Sequence, residues 1–186
     1  MTLEQLRRNF PEGIPLPSLL DQLCAFTEAE GGDGVSLGGY LELTENGPLA
    51  LDAWFRGNER AISRFIIFAS DETDGLYGYW RYDDRPLDHA PLVYLDDECA
   101  HNTVLAGNLA DFLTLVGVGQ RFLGRVDEWD AQEEPDEDTL RYRDWLRAGL
   151  GIEPPTLDEG RQIIARARPQ HPDLDEWIDQ IRATAQ

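Results

Sequence analysis

The sequence predicts an α+β fold: a mixed, mostly antiparallel sheet of about five or six strands flanked by helices, with a helical C-terminal extension. Three observations carry this. Between residues 34 and 106, short segments alternate apolar and polar residues at period two or run apolar throughout, and turn residues separate them. Segments with helical periodicity and capping residues bracket that region on both sides. After Gly119 the patterns are helical only.

Leu3, Leu6 and Phe10 fall at helical spacing, and Thr2 with Gln5 forms a capping box, so the chain opens with a short helix. Pro11, Gly13, Pro15 and Pro17 break it, and Ser18 is placed to cap a second helix carrying Leu19, Leu20, Leu23 and Phe26, which ends near Gly31 and Gly32. From Gly34 the period becomes two: Val35, Leu37, Leu41 and Leu43 share one face of a half-buried strand. Asn46-Gly47 reads as a tight turn, with LALDAWF as the returning hairpin strand. Phe65 to Ala69 is a continuous apolar run, as expected of a central strand covered on both faces. The turn Asp71 to Gly75 leads into an antiparallel partner, in which Leu76, Trp80 and Tyr82 alternate with Tyr77, Tyr79 and Arg81. PLVYLDD and Thr103 to Ala106 give two further strands, and Asn108 caps a helix over Leu109 to Val116 that stops at Gly117 and Gly119.

Eight of the twelve residues from Asp127 to Asp138 are acidic, which reads as a solvated linker. The division expected is therefore an α+β domain over 1–119, an acidic linker over 120–138 and a helical extension over 139–186, in which Thr156 and Glu159 make a second capping box.

Charge bounds the function. The chain has 36 acidic residues, 16 basic residues and a net charge of -20, and every basic residue is arginine. Both parts carry the excess, with 20 acids against 7 arginines up to residue 120 and 16 against 9 beyond it. Such a field repels a phosphate backbone and steers basic proteins inward, so no nucleic acid and a basic protein partner are expected; solubility alone is the competing use of the charge. No apolar stretch reaches the ~18 residues of a membrane helix, and MTLEQLRRNF lacks the apolar centre of a secretory signal. A cytoplasmic protein without membrane association is expected. Cys24 and Cys99 then read as free thiols.

Motifs for catalysis are missing: GxSxG, GxxxxGK, HExxH and paired CxxC do not occur, and no cofactor is expected. His89, His101 and His171 lie in separate loops or helix entries. His101 with Cys99 is the one candidate metal pair, and it lacks a third ligand nearby in sequence. Asp71, Glu72, Asp74 and Gly75 cluster oxygens in a turn but lack the spacing of a calcium loop. Asp96 and Asp97 are neighbours on a strand and point to opposite faces, so no productive carboxylate pair is fixed. For Tyr77 and Tyr79, packing in the core or on the sheet surface is favoured somewhat over an exposed binding face, which Tyr and Trp also suit.

In order along the chain stand LPSLLDQLCAF, FIIFASDETDGLYGYWRYD, PLVYLDDE and VLAGNLADFLTLV. This series resembles the SUKH superfamily, which includes the yeast Smi/Knr cell-wall regulator and many bacterial immunity proteins. Leu16 with Pro17, Phe68 to Tyr77, and Leu109 to Leu113 match its landmarks, over roughly residues 14 to 118. Family members usually place an aspartate after the glycine of the central turn, where this chain has Leu76, so a ligand role of that aspartate does not carry over. The resemblance implies a fold without an active site that binds and inhibits toxins, often nucleases. Combined with the charge, it assigns partner binding to Asp71, Glu72, Asp74, Tyr77, Tyr79, Asp83, Asp84, Asp96, Asp97 and Glu98. A regulatory scaffold recruiting a cellular protein is the alternative, and a hydrolase using Asp71, Asp74 and Asp96 a remote one.

Overall fold

A computed structural model describes residues 1–31, 35–38, 40–97 and 101–183. The chain begins with helix α1, Leu3–Arg7, whose capping box joins Thr2 and Gln5 as the sequence predicts. Helix α2, Ser18–Ala29, follows. Pro17 occupies its cap position and Ser18 is already helical, without a capping hydrogen bond. The strand expected from Gly34 is shorter than its pattern. Gly34 lies outside the described residues, and among the described ones only Leu41–Leu43 forms β1, because Gly38 turns the chain at φ +58° and Leu37 bridges back to Leu41.

The predicted hairpin at Asn46-Gly47 is a helix instead, α3, Gly47–Phe55. Pro48 falls in its first turn, where a missing N–H costs nothing, and Leu51 and Phe55, four residues apart, are both buried while Leu49 is exposed. The one-turn helix α4, Glu59–Ile62, leads into the sheet. Its strands are β2, Phe65–Asp71; β3, Leu76–Trp80; β4, Leu92–Leu95; and β5, Thr103–Ala106. Helix α5, Leu109–Val116, is capped by Asn108 as read from sequence. Then come α6, Glu137–Trp145, continued by a π-helical turn to Leu150, α7, Leu157–Ala167, and α8, Leu174–Ala183. No helix among the described residues is long and apolar enough to cross a membrane.

Among the described residues the sheet is a five-stranded meander in the order β1-β2-β3-β4-β5 in which every neighbouring pair is antiparallel, with no parallel pair. Helices cover both faces. Ile66, Phe68, Tyr77, Tyr79, Tyr94 and Leu105 face α1, α2, α5, α6 and α7. Phe65, Ile67, Leu76, Trp80, Val93 and Val104 face α3, α4 and α8, with Trp177 against Phe65 and Trp80 at ring separations of 5.7 and 5.5 Å. The helical extension thus supplies much of one layer, including the buried Leu174 and Ile178. Segment 120–138, read as a linker, places Leu123 and Trp129 in the core.

Candidate functional site: an acidic sheet end

Antiparallel register decides which loops meet. Leu76 pairs with Leu95 and Tyr94 with Thr103, so the β2–β3 turn, the start of the β4–β5 connection and the entry to β5 lie at one end of the sheet. Asp71, Glu72, Asp74, Asp96 and Asp97 gather there. Asp83 and Asp84 follow the other end of the five-residue β3, about 15 Å away at ~3.3 Å per residue. Glu98 and Cys99 fall outside the described residues.

Two of the carboxylates at this end are structural. Asp71 closes the turn: Oδ1 accepts from the Thr73 amide at 2.9 Å, the Thr73 hydroxyl at 2.8 Å and the Gly75 amide at 3.0 Å, while Oδ2 accepts from the Tyr77 hydroxyl at 2.8 Å. Short polar side chains that bond the backbone two to four residues on are natural turn-formers. Gly75 is required by close approach, since a Cβ there would collide with the Tyr94 ring and the Asp71 carboxylate. Asp96 is wholly buried; its Oδ1 accepts from the Tyr94 hydroxyl and from Arg125, each at 3.0 Å. Burial, then the neighbouring Asp71, pushes the Tyr77 phenol well above its ordinary range, and burial with Asp71 and Asp96 does the same to Tyr94. For Arg125 burial opposes the charge, and the hydrogen bonds to Asp96 and Tyr94 more than offset it, so the guanidinium stays firmly protonated.

The assignment of Asp71, Tyr77, Tyr79 and Asp96 to partner contact is therefore corrected. Tyr77 and Tyr79 are 0% and 1% exposed, because α2 and α5 cover the face they share. Asp71 and Asp96 point inward to donors and not to solvent. Glu72, Asp74 and Asp97 are exposed, as is Asp84. Asp83 is clamped by Arg85, whose Nε lies 2.8 and 3.0 Å from its two oxygens, and this holds its carboxyl low.

The acidic segment joins the same end. Arg121 Nε reaches Glu72 at 2.5 Å, Tyr40 donates to Glu133 at 2.9 Å, and Arg125 lies 3.9 Å from Glu128 as well as on Asp96. Burial and Glu133 push the Tyr40 phenol up to about 12. Gln120 exchanges hydrogen bonds with the Asp130 backbone at 3.1 and 2.7 Å. With Leu123 and Trp129 turned in, Asp127, Glu128, Asp130, Glu134, Asp136 and Glu137 are left exposed. Tyr40, Arg121 and Arg125 were not legible as site residues. The available signal was a large apolar residue, Trp129, inside the acidic run, with Leu123 shortly before it.

A cleft of about 330 Å³ adjoins this surface, lined by His101, Arg125, Asp127, Glu128, Arg168 and Asp175 among others. Among the described residues no three His, Cys, Asp or Glu side chains are placed to hold a metal ion. Cys24 is a buried free thiol. What the arrangement offers chemically is a rigidly buttressed, negatively charged face that can receive cationic groups.

Fold and site define an α+β protein with a sheet enclosed on both faces and one acidic end. Compared with known proteins, the chain matches no family model, no curated protein and no solved structure.

Proposed function

We propose that this chain is an acidic binding module that neutralises a basic bacterial toxin, of the nuclease type, by direct stoichiometric contact. The observation that carries the reading is the convergence of Glu72, Asp74 and Asp97 with the carboxylates of 127–138 on one end of the sheet, held there by Arg121, Arg125 and Tyr40. A fixed negative face in a chain of net charge -20 speeds and orients encounter with a basic protein. The ordered resemblance to SUKH immunity proteins over residues 14 to 118 supports the same conclusion. Leu76, at the family's aspartate position, is buried in the core here, so the contact relies on the flanking acids.

The test is co-expression with toxins encoded beside its gene, together with binding kinetics. Cells are expected to survive the cognate toxin, and the association rate to fall by about tenfold or more between low and physiological salt. Combining Asp74→Asn with Asp97→Asn, both exposed and outside the Arg121–Glu72 contact, slows association while leaving the melting temperature within about two degrees. The proposal fails if no neighbouring toxin binds and none is tolerated.

A further inference from the structure

Beside the acidic end the charge reverses. A cleft of about 950 Å³ runs between the α3–α4 turn and the C-terminal half of α8, and Trp54, Arg56, Asn58, Arg60, Asp97 and Arg182 line it. Several arginines of this acid-rich chain hold carboxylates, as Arg85 holds Asp83 and Arg121 holds Glu72, while others, such as Arg143 on the Gly117 and Val118 carbonyls, hold backbone. Among the described residues Arg56 and Arg60 hold no carboxylate, although Glu59 stands between them in sequence and also lines the cleft. The third cation is fixed in place. Arg182 lies 4.6 Å over the Trp54 ring, and the Trp54 indole N–H donates to the Asp96 carbonyl at 3.0 Å.

Backbone geometry adds an independent sign. Arg56 ends α3 in the left-handed region, at φ 52° and ψ 45°, a conformation that favours glycine, and Gly57 follows at φ 75°. An arginine held there, with its side chain exposed, is the kind of local strain that persists where the side chain has a use.

We propose that this cleft is a carboxylate-binding subsite that receives an aspartate or glutamate side chain from a loop of a protein partner. The planar guanidinium matches a carboxylate with paired donors. A polynucleotide is opposed by the net charge of -20. A small-molecule site is opposed by the lining, since such sites are mostly apolar and the large apolar groups here are Trp54 and Phe55, the latter 4% exposed. Asp97 belongs to both surfaces, so one partner can span them, placing cations over the acidic end and an acid in the cleft. The inference rests on the chain being a protein-binding module and not on the partner being a toxin. It gives the contact a register: a basic protein without the matching acid leaves the arginines facing like charge and is rejected.

An acetylated, amidated tetraglutamate peptide is the probe, titrated at physiological ionic strength against the full chain while the Trp54 indole resonance is followed, assigned with Trp54→Phe. A saturable shift is expected, and it weakens about fivefold or more in Arg56→Glu/Arg60→Glu but not in the distant Arg161→Glu. Arg56→Gly weakens the peptide and at the same time raises the melting temperature, a pairing that a purely structural arginine cannot produce. The inference is overturned if the shift is absent, if it is equal in the double variant, or if pyrophosphate or a single-stranded oligonucleotide binds more tightly than the peptide. Because no toxin enters this titration, failure of toxin neutralisation and failure of the subsite are read separately.

Discussion

Arg125→Met isolates the contact that fastens the acidic segment to the sheet. Asp96 is 0% exposed and Arg125 is 20% exposed, at 3.0 Å. Removing one partner of a buried ion pair costs about 3–5 kcal/mol, because the other charge is stranded in a poor solvent. The Tyr94 hydroxyl still donates to Asp96 at 3.0 Å, and the partial exposure of Arg125 weakens the pair, so the low end, about 3 kcal/mol, is expected. With a urea m-value of about 2.5 kcal/mol per molar for a domain of this size, the midpoint falls by about 1.2 M. Adding Asp96→Asn to Arg125→Met removes the stranded charge, and the double variant recovers part of the loss. Hydrogen exchange should quicken over 123–130 in the single variant while β2 and β3 stay protected. A midpoint drop under about 0.3 M, or no recovery in the double variant, would refute the claim that this pair is a buried anchor.

Tyr77→Phe deletes a donor to Asp71 and leaves the three donors from Thr73 and Gly75; a loss of about 1.5 kcal/mol in urea unfolding is expected. Its partner affinity stays unchanged, since the ring is buried; a large affinity loss at unchanged stability would return Tyr77 to the interface. A chain ending at Gly119 lacks Trp177 and Ile178 over Phe65 and Trp80, and is expected to bind hydrophobic dyes and unfold without a sharp transition. Cooperative melting of that fragment would establish the 1–119 division as a self-sufficient domain. Alkaline titration reads the buried groups together. Each of the six tyrosines is shifted above its ordinary value, first by burial, and burial pushes the Cys24 thiol from 9.0 to about 11. Groups that bind protons more tightly when folded contribute stability below their unfolded values, and it is lost as pH rises through the folded ones. For the thiol the window is pH 9 to 11, and for the phenols it opens near 10. Tyrosinate absorbance from the buried Tyr77, Tyr79, Tyr94 and Tyr142 should therefore appear together with unfolding, and any of these four phenols titrating near 10 in the folded chain would contradict the packing.

The sheet strands after β1 were legible because each carries its own evidence. The run Phe65 to Ala69 has no polar interruption, and Asn108 with Asp111 signals α5 locally. The α3 segment was not, because Leu51, Ala53 and Phe55 satisfy a period of two as well as Leu51 and Phe55 satisfy a turn of helix; the outcome lies in Pro48 and in the pocket offered by β2. Alternation correctly put Tyr77 and Tyr79 on one face and Leu76 and Trp80 on the other. It could not say that both faces are covered, since the covers are α5, some 30 residues on, and α8, nearly 100 residues on. The same non-locality hid the roles of the carboxylates. An aspartate held by an arginine 29 residues away, as Asp96 is by Arg125, reads in sequence as one more surface acid.

Gathering acids at one end has a cost that the free protein carries alone, and this gives salt two opposite effects. Like charges about 10 Å apart in water repel by about 0.4 kcal/mol per pair before screening, and the acids of 127–138 form several such pairs. Arg121, Arg125 and Arg141 offset part of this, since they reach Glu72, Asp96 and Glu30. The remainder falls as the screening length shortens from about 20 Å near 20 mM salt to under 8 Å above physiological ionic strength. Relief of about 1 kcal/mol raises the melting temperature by about 3 °C for a domain of this size. Salt thus stabilises the chain while slowing its capture of a cationic partner, and calorimetry and binding kinetics over one salt series measure both. A melting temperature that is flat or falling with salt would mean that the acids are already neutralised within the fold, and the face would then have no net charge left with which to attract anything.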